Sequence, residues 1–342
     1  MTTGYISDIR FRTHTLQGHP EHAGRLVAVH QQLEAEKLFE RCVRLPADLA
    51  SIKTLHAVHT PSYIAELEKT AHASKMTRFG RDTYVLPQSY EIARLAAGGT
   101  LNLVRAVMQG EVQNGFALVR PPGHHATAGQ GMGFCLLNNV AIAAAQIQQQ
   151  NQRVLILDYD VHHGNGTQDI FYNSPDVFYI STHQSPLYPG TGALYETGEG
   201  PGVGYTLNIP LAPGAGDKSF QLVCDEIVVP AIRRFRPQIM LVSAGFDAHW
   251  MDPLANLTVT LTGFDHMTRT LIGLANELCD GRIVFVMEGG YDLQVLSYAW
   301  VNVVRALLGD TEMVDPLRPN RLPAEPRVEL LLQHIKQVHE LN

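Results

Sequence analysis

The chain has 342 residues, 45% of them hydrophobic and 17% charged, with a formal net charge of −7 at pH 7. That balance is expected of a soluble globular chain with material for one large core, and the negative charge argues against a general grip on nucleic-acid phosphates. A mildly acidic surface suits a cationic partner better. There is no 18-residue apolar run, so a transmembrane helix is not expected, and the opening MTTGYISDIRFRTHTLQGHPEH lacks the basic start and apolar stretch of a signal peptide. Cys42, Cys135, Cys224 and Cys279 are widely spaced and form no CxxC pair, which points to free thiols in a reducing compartment and a cytoplasmic location. A homo-oligomer stays open.

In chain order, short β-branched apolar runs alternate with helical patterns, the signature of a parallel sheet covered by helices. Phe116–Val119 reads as a strand, followed by a helix over Leu137–Gln150. Strands Val154–Leu157 and Val177–Ile180 come next, then a helix over Lys218–Phe235 that Pro230 should kink or end. After strand Ile239–Val242, a helix over Phe264–Leu278 is preceded by Thr262, which with Asp265 three residues on resembles a capping box. The last strand is Ile283–Val286. Near-continuous apolarity means these strands are buried on both faces. A Pro-rich connector, Asp315–Pro326, then leads to Val328, Leu331, Leu332 and Ile335, a helical stripe that should pack on the outside of the domain. The expected organisation is one catalytic domain over residues 1–310 with this connector and helix over 311–342.

The segment after each strand carries the chemistry: RPPGHH, DYDVHHGNG, STH, SAGFDAH and MEGGYD. In open α/β sheets, ligands bind beyond the carboxyl ends of the strands, so these segments are expected to build one composite site. In an extended stretch, residues two apart point to the same side, so Asp160 and His162 converge, with Asp158 set deeper. Asp247 is the natural third ligand of a catalytic zinc, which takes three protein ligands and keeps a position open. An Asp/His/Asp set also accepts ferrous iron. His124 and His125, behind a stiff Arg-Pro-Pro-Gly turn, suit proton transfer to and from an amide, with Asp158 and Asn165 as candidate partners that orient the rings. Tyr291, after Gly289 and Gly290, offers a phenol to a tetrahedral oxyanion.

Taken together, RPPGHHA, GFCLLNNVAIA, DYDVHHGNGTQ, SAGFDAH…DPL and EGGYDL resemble the zinc-dependent histone deacetylase superfamily, in the family's order and from His19 to Leu293. The neutral Asn165 in GNGTQ is more similar to the class II branch. The resemblance implies the α/β arginase–deacetylase fold, three αβα layers around a central, mostly parallel sheet. It also implies zinc on Asp160, His162 and Asp247, His125 as general base and acid, His124 as its electrostatic companion paired with Asp158, and Tyr291 as the group that polarises the carbonyl. Phe134 and Tyr188 match the aromatic walls of an acyl-lysine tunnel, an apolar slot with parallel rings. Gly133, Leu254 and Gly290 join the substrate-contacting set, Asp82 matches a rim residue that holds substrate backbone, and Arg25 an arginine near the acetate exit. One potassium ion is implied at Asp158, Asp160, His162, Ser181 and Thr182, and a second at Phe171, Ser174, Val177 and Tyr205.

The expected substrate is therefore an acylated lysine peptide or protein, or an acylated small amine. The first alternative is an acetylpolyamine amidohydrolase on the same fold. Its class II relatives carry an acidic gatekeeper seven residues after the third zinc ligand, where this chain has Leu254. A ureohydrolase would need more bridging carboxylates for two manganese ions than DYDVHHG offers. A binding module that had lost catalysis would not need ligands, histidine pair and tyrosine together.

Overall fold

The computed structural model describes residues 2–150, 152–319 and 323–341. Its strands are β1 (Thr3–Ile6), β2 (Val43–Arg44), β3 (Thr77–Phe79), β4 (Thr83–Val85), β5 (Asn114–Ala117), β6 (Val154–Asp158), β7 (Val177–Gln184), β8 (Thr206–Leu211), β9 (Ile239–Ala244) and β10 (Ile283–Met287). Eight of them form one sheet in the order β2-β1-β5-β10-β9-β6-β7-β8, in which every pairing is parallel; β3 and β4 make a separate antiparallel hairpin. The five strands legible from apolar runs are thus the five adjacent strands at the sheet's centre.

The three unannounced sheet strands lie at its edges. β1 is four residues and β2 two, too short for a periodic signal, and β8 (TLNIPL) mixes Thr206, Asn208 and Pro210 into its apolar positions. Pro210 is tolerated because an edge strand has an unpaired side. β5 begins two residues earlier than the apolar run suggests, because Asn114 and Gly115 pair with Thr3 and Gly4. β6, β9 and β10 are buried at every position, as a sheet covered on both faces requires. The covering layers are separate. Helices Ser89–Gln109 and Asn139–Gln148 pack on each other, while Gly24–Ala35, Leu261–Leu278 and Leu293–Leu307 pack together.

Two local expectations are corrected. The helix N-cap is Thr260, whose hydroxyl accepts the N–H of Thr262 at 3.1 Å; Thr262 lies inside the helix, and Asp265 pairs with Arg269 instead of closing a capping box. Pro230 does not break its helix. The chain runs from Asp217 to Phe235 through a wide π turn at Cys224–Val228, so the proline's missing N–H falls where the hydrogen-bond register already changes. Part of the Pro-rich connector, residues 320–322, lies outside the described residues. Beyond it, helix Glu329–His339 buries Leu332 and Ile335, and Glu325 accepts the N–H groups of Gly216, Lys218 and Ser219. Among the described residues, no helix is long and apolar enough to cross a membrane.

Candidate active site

The carboxyl ends of β5, β10, β9, β6 and β7 meet above the middle of the sheet. β6 ends at Asp158, and the chain then turns rather than continuing extended. Asp158 Oδ1 accepts the N–H of Asp160 at 3.1 Å, and Asp160 Oδ1 accepts the N–H of His162 at 3.0 Å. Two successive Asx-type turns, not a pleat, therefore bring Asp160 and His162 together. Asp247 arrives from the loop after β9 and is fixed by the N–H of Val161 at 2.9 Å.

His162 Nδ1 stands 3.1 Å from Asp160 Oδ1 and 3.2 Å from Asp247 Oδ2. One ring N–H cannot serve two buried carboxylates fully. The ligand atoms of all three residues lie within 4.8 Å of one another, so three electron-pair donors face one point. Burial opposes charge on His162, yet the two carboxylates push its pKa up to about 10. The pocket is built to hold positive charge, and its donors match a zinc ion's preferences. Gly289 permits this crowding: a Cβ there would meet Asp247 Oδ2 at 2.1 Å, and its N–H donates to Asp160 Oδ2 at 2.7 Å.

The histidine pair is split electrostatically. His124 Nδ1 lies 3.0 Å from Asp158 Oδ2 and His125 Nδ1 2.9 Å from Asn165 Oδ1. Against the cost of burial, Asp160 and Asp158 raise His124 to about 10, whereas burial, then His124 and His162, hold His125 well below the usual imidazole range. Paired groups whose pKa values are pushed apart are suited to distinct acid and base roles. Gly133 lets the wall approach His125, since a Cβ there would sit 2.3 Å from the ring.

Tyr291 keeps its phenol proton, because burial raises its pKa further than the nearby Arg25 lowers it. Its ring meets Phe134 edge-on at 5.9 Å, and the Arg25 guanidinium lies 5.0 Å from its centroid. Arg25 is fully buried, donates to the main-chain oxygens of Gly290 (2.8 Å) and Glu288, and pairs with Glu21 at 3.2 Å. It holds the tyrosine loop.

Tyr188 stands edge-on to His125 at 5.2 Å and is 38% exposed. Phe134 is fixed by its N–H to Thr83 Oγ1, and the same hydroxyl donates to Asp82, both at 2.9 Å. Asp82 also helps burial raise the Tyr188 phenol, which puts it beside Tyr188. Leu254 is half-buried, its N–H given to Asp252 at 3.0 Å.

The residues matched to potassium fall into two places. Asp158 and Ser181 are register partners across β6 and β7, beside Asp160, His162 and Thr182. The Asp158 oxygens already receive Asp160 N–H, His124 and the Tyr179 hydroxyl (3.2 Å), and Ser181 Oγ contacts His183 at 2.9 Å. At the opposite end of β7, Phe171, Ser174, Val177 and Tyr205 gather, with the Phe171 carbonyl accepting Ser174 N–H at 2.9 Å and the Tyr205 carbonyl Tyr179 N–H at 2.9 Å.

Several supporting residues escaped the sequence reading. Glu288 Oε2 accepts the N–H groups of Gly123 (2.7 Å) and His124 (3.2 Å), and burial pushes its carboxyl up to about 7. Glu21 joins Arg25 to Arg120, the residue that heads the histidine loop. Asp252 holds the tyrosine loop from the other side. Their one signal was a charged residue in or next to a motif segment, as in EGGYD, HPEH and MDPL.

Comparison with known proteins agrees with this geometry. Residues 19–307 match the family model described as the histone deacetylase domain. A probable deacetylase of Archaeoglobus fulgidus is 43% identical over 314 residues, covering 90% of this chain and 87% of that protein. A histone deacetylase-like amidohydrolase of Pseudomonas aeruginosa is 39% identical over 305 residues, covering 88% and 80%. The crystal structure of the HDA15 HD domain superposes with a TM-score of 0.91 at 37% identity, covering 99% of this chain and 96% of that one.

Proposed function

The chain belongs to the histone deacetylase family, whose members are hydrolases, and from that premise we propose that it removes acetyl or other acyl groups from lysine-like amines with a zinc ion held by Asp160, His162 and Asp247. The observation that carries the metal reading is His162 Nδ1 set between two buried carboxylates at 3.1 and 3.2 Å. A zinc ion there supplies Lewis acidity to the amide carbonyl and acidifies a water; ferrous iron is the other ion this donor set accepts.

The chain's own residues perform the remaining steps. His125, neutral and steered by Asn165, takes the water's proton and returns it to the departing amine. His124, held charged by Asp160 and Asp158, stabilises the negative charge that develops beside it. Tyr291 donates its phenol to the oxyanion. Phe134 and Tyr188 bury the substrate's methylene chain, with Gly133 and Gly290 giving backbone room and Asp82 at the rim. The apolar Leu254 at the gatekeeper position offers no charge to a second ammonium, which favours acyl-lysine over acylpolyamine. Potassium at the two oxygen-lined places belongs to the same reading, as a structural ion near each end of β7.

The test is direct: metal content of the purified protein, and turnover of a fluorogenic acetyl-lysine peptide beside acetylspermidine. One zinc per chain, chelator-sensitive turnover of the peptide and inhibition by a hydroxamate are expected. A metal-replete protein that turns over neither substrate would overturn the reading.

A further inference from the structure

A cavity of about 490 Å³ lies at the amino ends of the strands, at the opposite edge of the sheet from the catalytic residues. Arg153 directly precedes β6, Tyr205 directly precedes β8, and Phe178 is the second residue of β7. Arg234 and Phe235 close the helix before β9, and His339 ends the C-terminal helix above them.

Its wall is aromatic. Phe178, Tyr205 and Phe235 form a mutually packed triangle with centroids 5.3, 5.9 and 6.3 Å apart. Two guanidinium groups border it. Arg153 lies 5.9 Å from the Phe235 centroid and gives one Nη2–H to the Arg236 carbonyl at 2.9 Å. Arg234 spends Nη1 on the carbonyls of His339 (2.6 Å) and Glu340 (3.3 Å). Among the described residues, neither guanidinium has a carboxylate partner, and each keeps its Nε–H and one Nη free of protein acceptors. Of the acids nearby, Glu277 is engaged by Arg233 and Glu226 by Lys336, while Glu340 is one of the residues lining the cavity. The Glu340 side chain is exposed.

The third feature is His339. It is only 4% exposed, and among the described residues neither ring nitrogen has a hydrogen-bond partner. Both nitrogens are shut off from solvent, so the ring closes the cavity wall without presenting a donor to it. Burial, with Arg234 beside it, holds the ring neutral, its pKa down to about 4.

We propose that this cavity is a binding site for a small organic anion with a flat apolar body, an aryl carboxylate or aryl phosphate. The acid group is held by Arg153 and Arg234, and the ring lies against Phe178, Tyr205 and Phe235. Charge-assisted hydrogen bonds from planar guanidinium groups give the anion preference, and the aromatic wall gives the preference for a ring. The volume falls in the range of small-molecule sites. The site is independent of the deacetylase reading.

Calorimetric titration of the full chain with 2-naphthoate and 2-naphthyl phosphate tests this, with neutral 2-naphthamide and inorganic phosphate as controls. A saturating hydroxamate keeps the anions from the catalytic centre. One site per chain is expected for at least one aryl anion, with the amide and bare phosphate roughly tenfold weaker or more. The better of the two anions identifies the natural acid group. Arg153→Gln and Arg234→Gln should each weaken binding by roughly tenfold while peptide deacetylation continues; both side chains are exposed, so the variants keep the fold. No saturable binding of either anion below about 1 mM, equal binding by Arg153→Gln, or equally tight binding of the amide overturns the proposal.

Discussion

The carboxylate of Asp252 accepts the main-chain N–H of Tyr291 at 2.7 Å and that of Asp292 at 3.3 Å. With Arg25 holding the Glu288 and Gly290 carbonyls on the other side, the tyrosine's backbone is fixed from both directions. Asp252→Ala removes the acceptor and should lower kcat by roughly 10–100-fold, the usual cost of loosening a supporting partner, with KM little changed. Asp252→Asn retains an oxygen for the Tyr291 N–H and should recover most of the loss. Equal activity of the alanine variant and the wild type would show that the loop is held without it.

Tyr291→Phe isolates the phenol. Fold and metal content should survive, and kcat should fall by roughly 10²–10³-fold, the effect of deleting one oxyanion donor. Zinc content, melting temperature and kcat measured on one preparation check this. A kcat within about threefold of wild type would remove the tyrosine from the mechanism.

His162→Ala and Asp247→Ala each take one of three convergent donors away. Both variants should lose the metal on dialysis, with turnover down by roughly 10³-fold or more. Stoichiometric zinc by elemental analysis in an active variant would refute the ligand assignment.

Leu254 hangs from the same Asp252 carboxylate that pins Tyr291, which ties the gatekeeper position to the catalytic loop. Leu254→Glu should shift the kcat/KM ratio toward acetylspermidine over acetyl-lysine peptide by roughly three- to tenfold, about the worth of a partly exposed ion pair. An unchanged ratio would place the substrate's second ammonium elsewhere.

Acid should destabilise the fold in two steps. Burial pushes the pKa values of His14, His59 and His183 down to about 3, 4 and 3, while unfolded imidazoles titrate near 6.5. Below pH 6.5 the unfolded chain therefore binds protons first, and each of these imidazoles costs the native state about 1.4 kcal/mol per pH unit until its folded pKa is reached. Glu21 adds a lower step. Burial works against its charge, but Arg120 and Arg25 hold the carboxyl at about 2, so its contribution is present above pH 4.5 and is lost as pH falls toward 2. Calorimetric melting from pH 6.5 to 4.5 should give a falling Tm; a flat profile over that range would contradict the neutral imidazoles.

Strand runs and the segments that follow them were legible in the chain itself, although the Thr260 N-cap and the turns at Asp158 and Asp160 were not. Runs such as IVFV and VLIL announced strands buried on both faces, because burial on two sides selects apolar residues at every position. The segments after them announced the chemistry, because a strand's carboxyl end exposes whatever follows it. The tertiary structure alone decided which strands are neighbours: β10 lies between β5 and β9, although they are far apart in sequence. It also decided the partners of the buried charges. Glu21 meets Arg120 across 99 residues and Glu288 meets Gly123 across 165, pairings no local period encodes. Even the convergence of Asp160 and His162 came from side-chain turns rather than a pleat. Periodicity reports which way a side chain faces; what it faces is set by packing of the whole chain, where each buried charge has to find the one partner that offsets its desolvation.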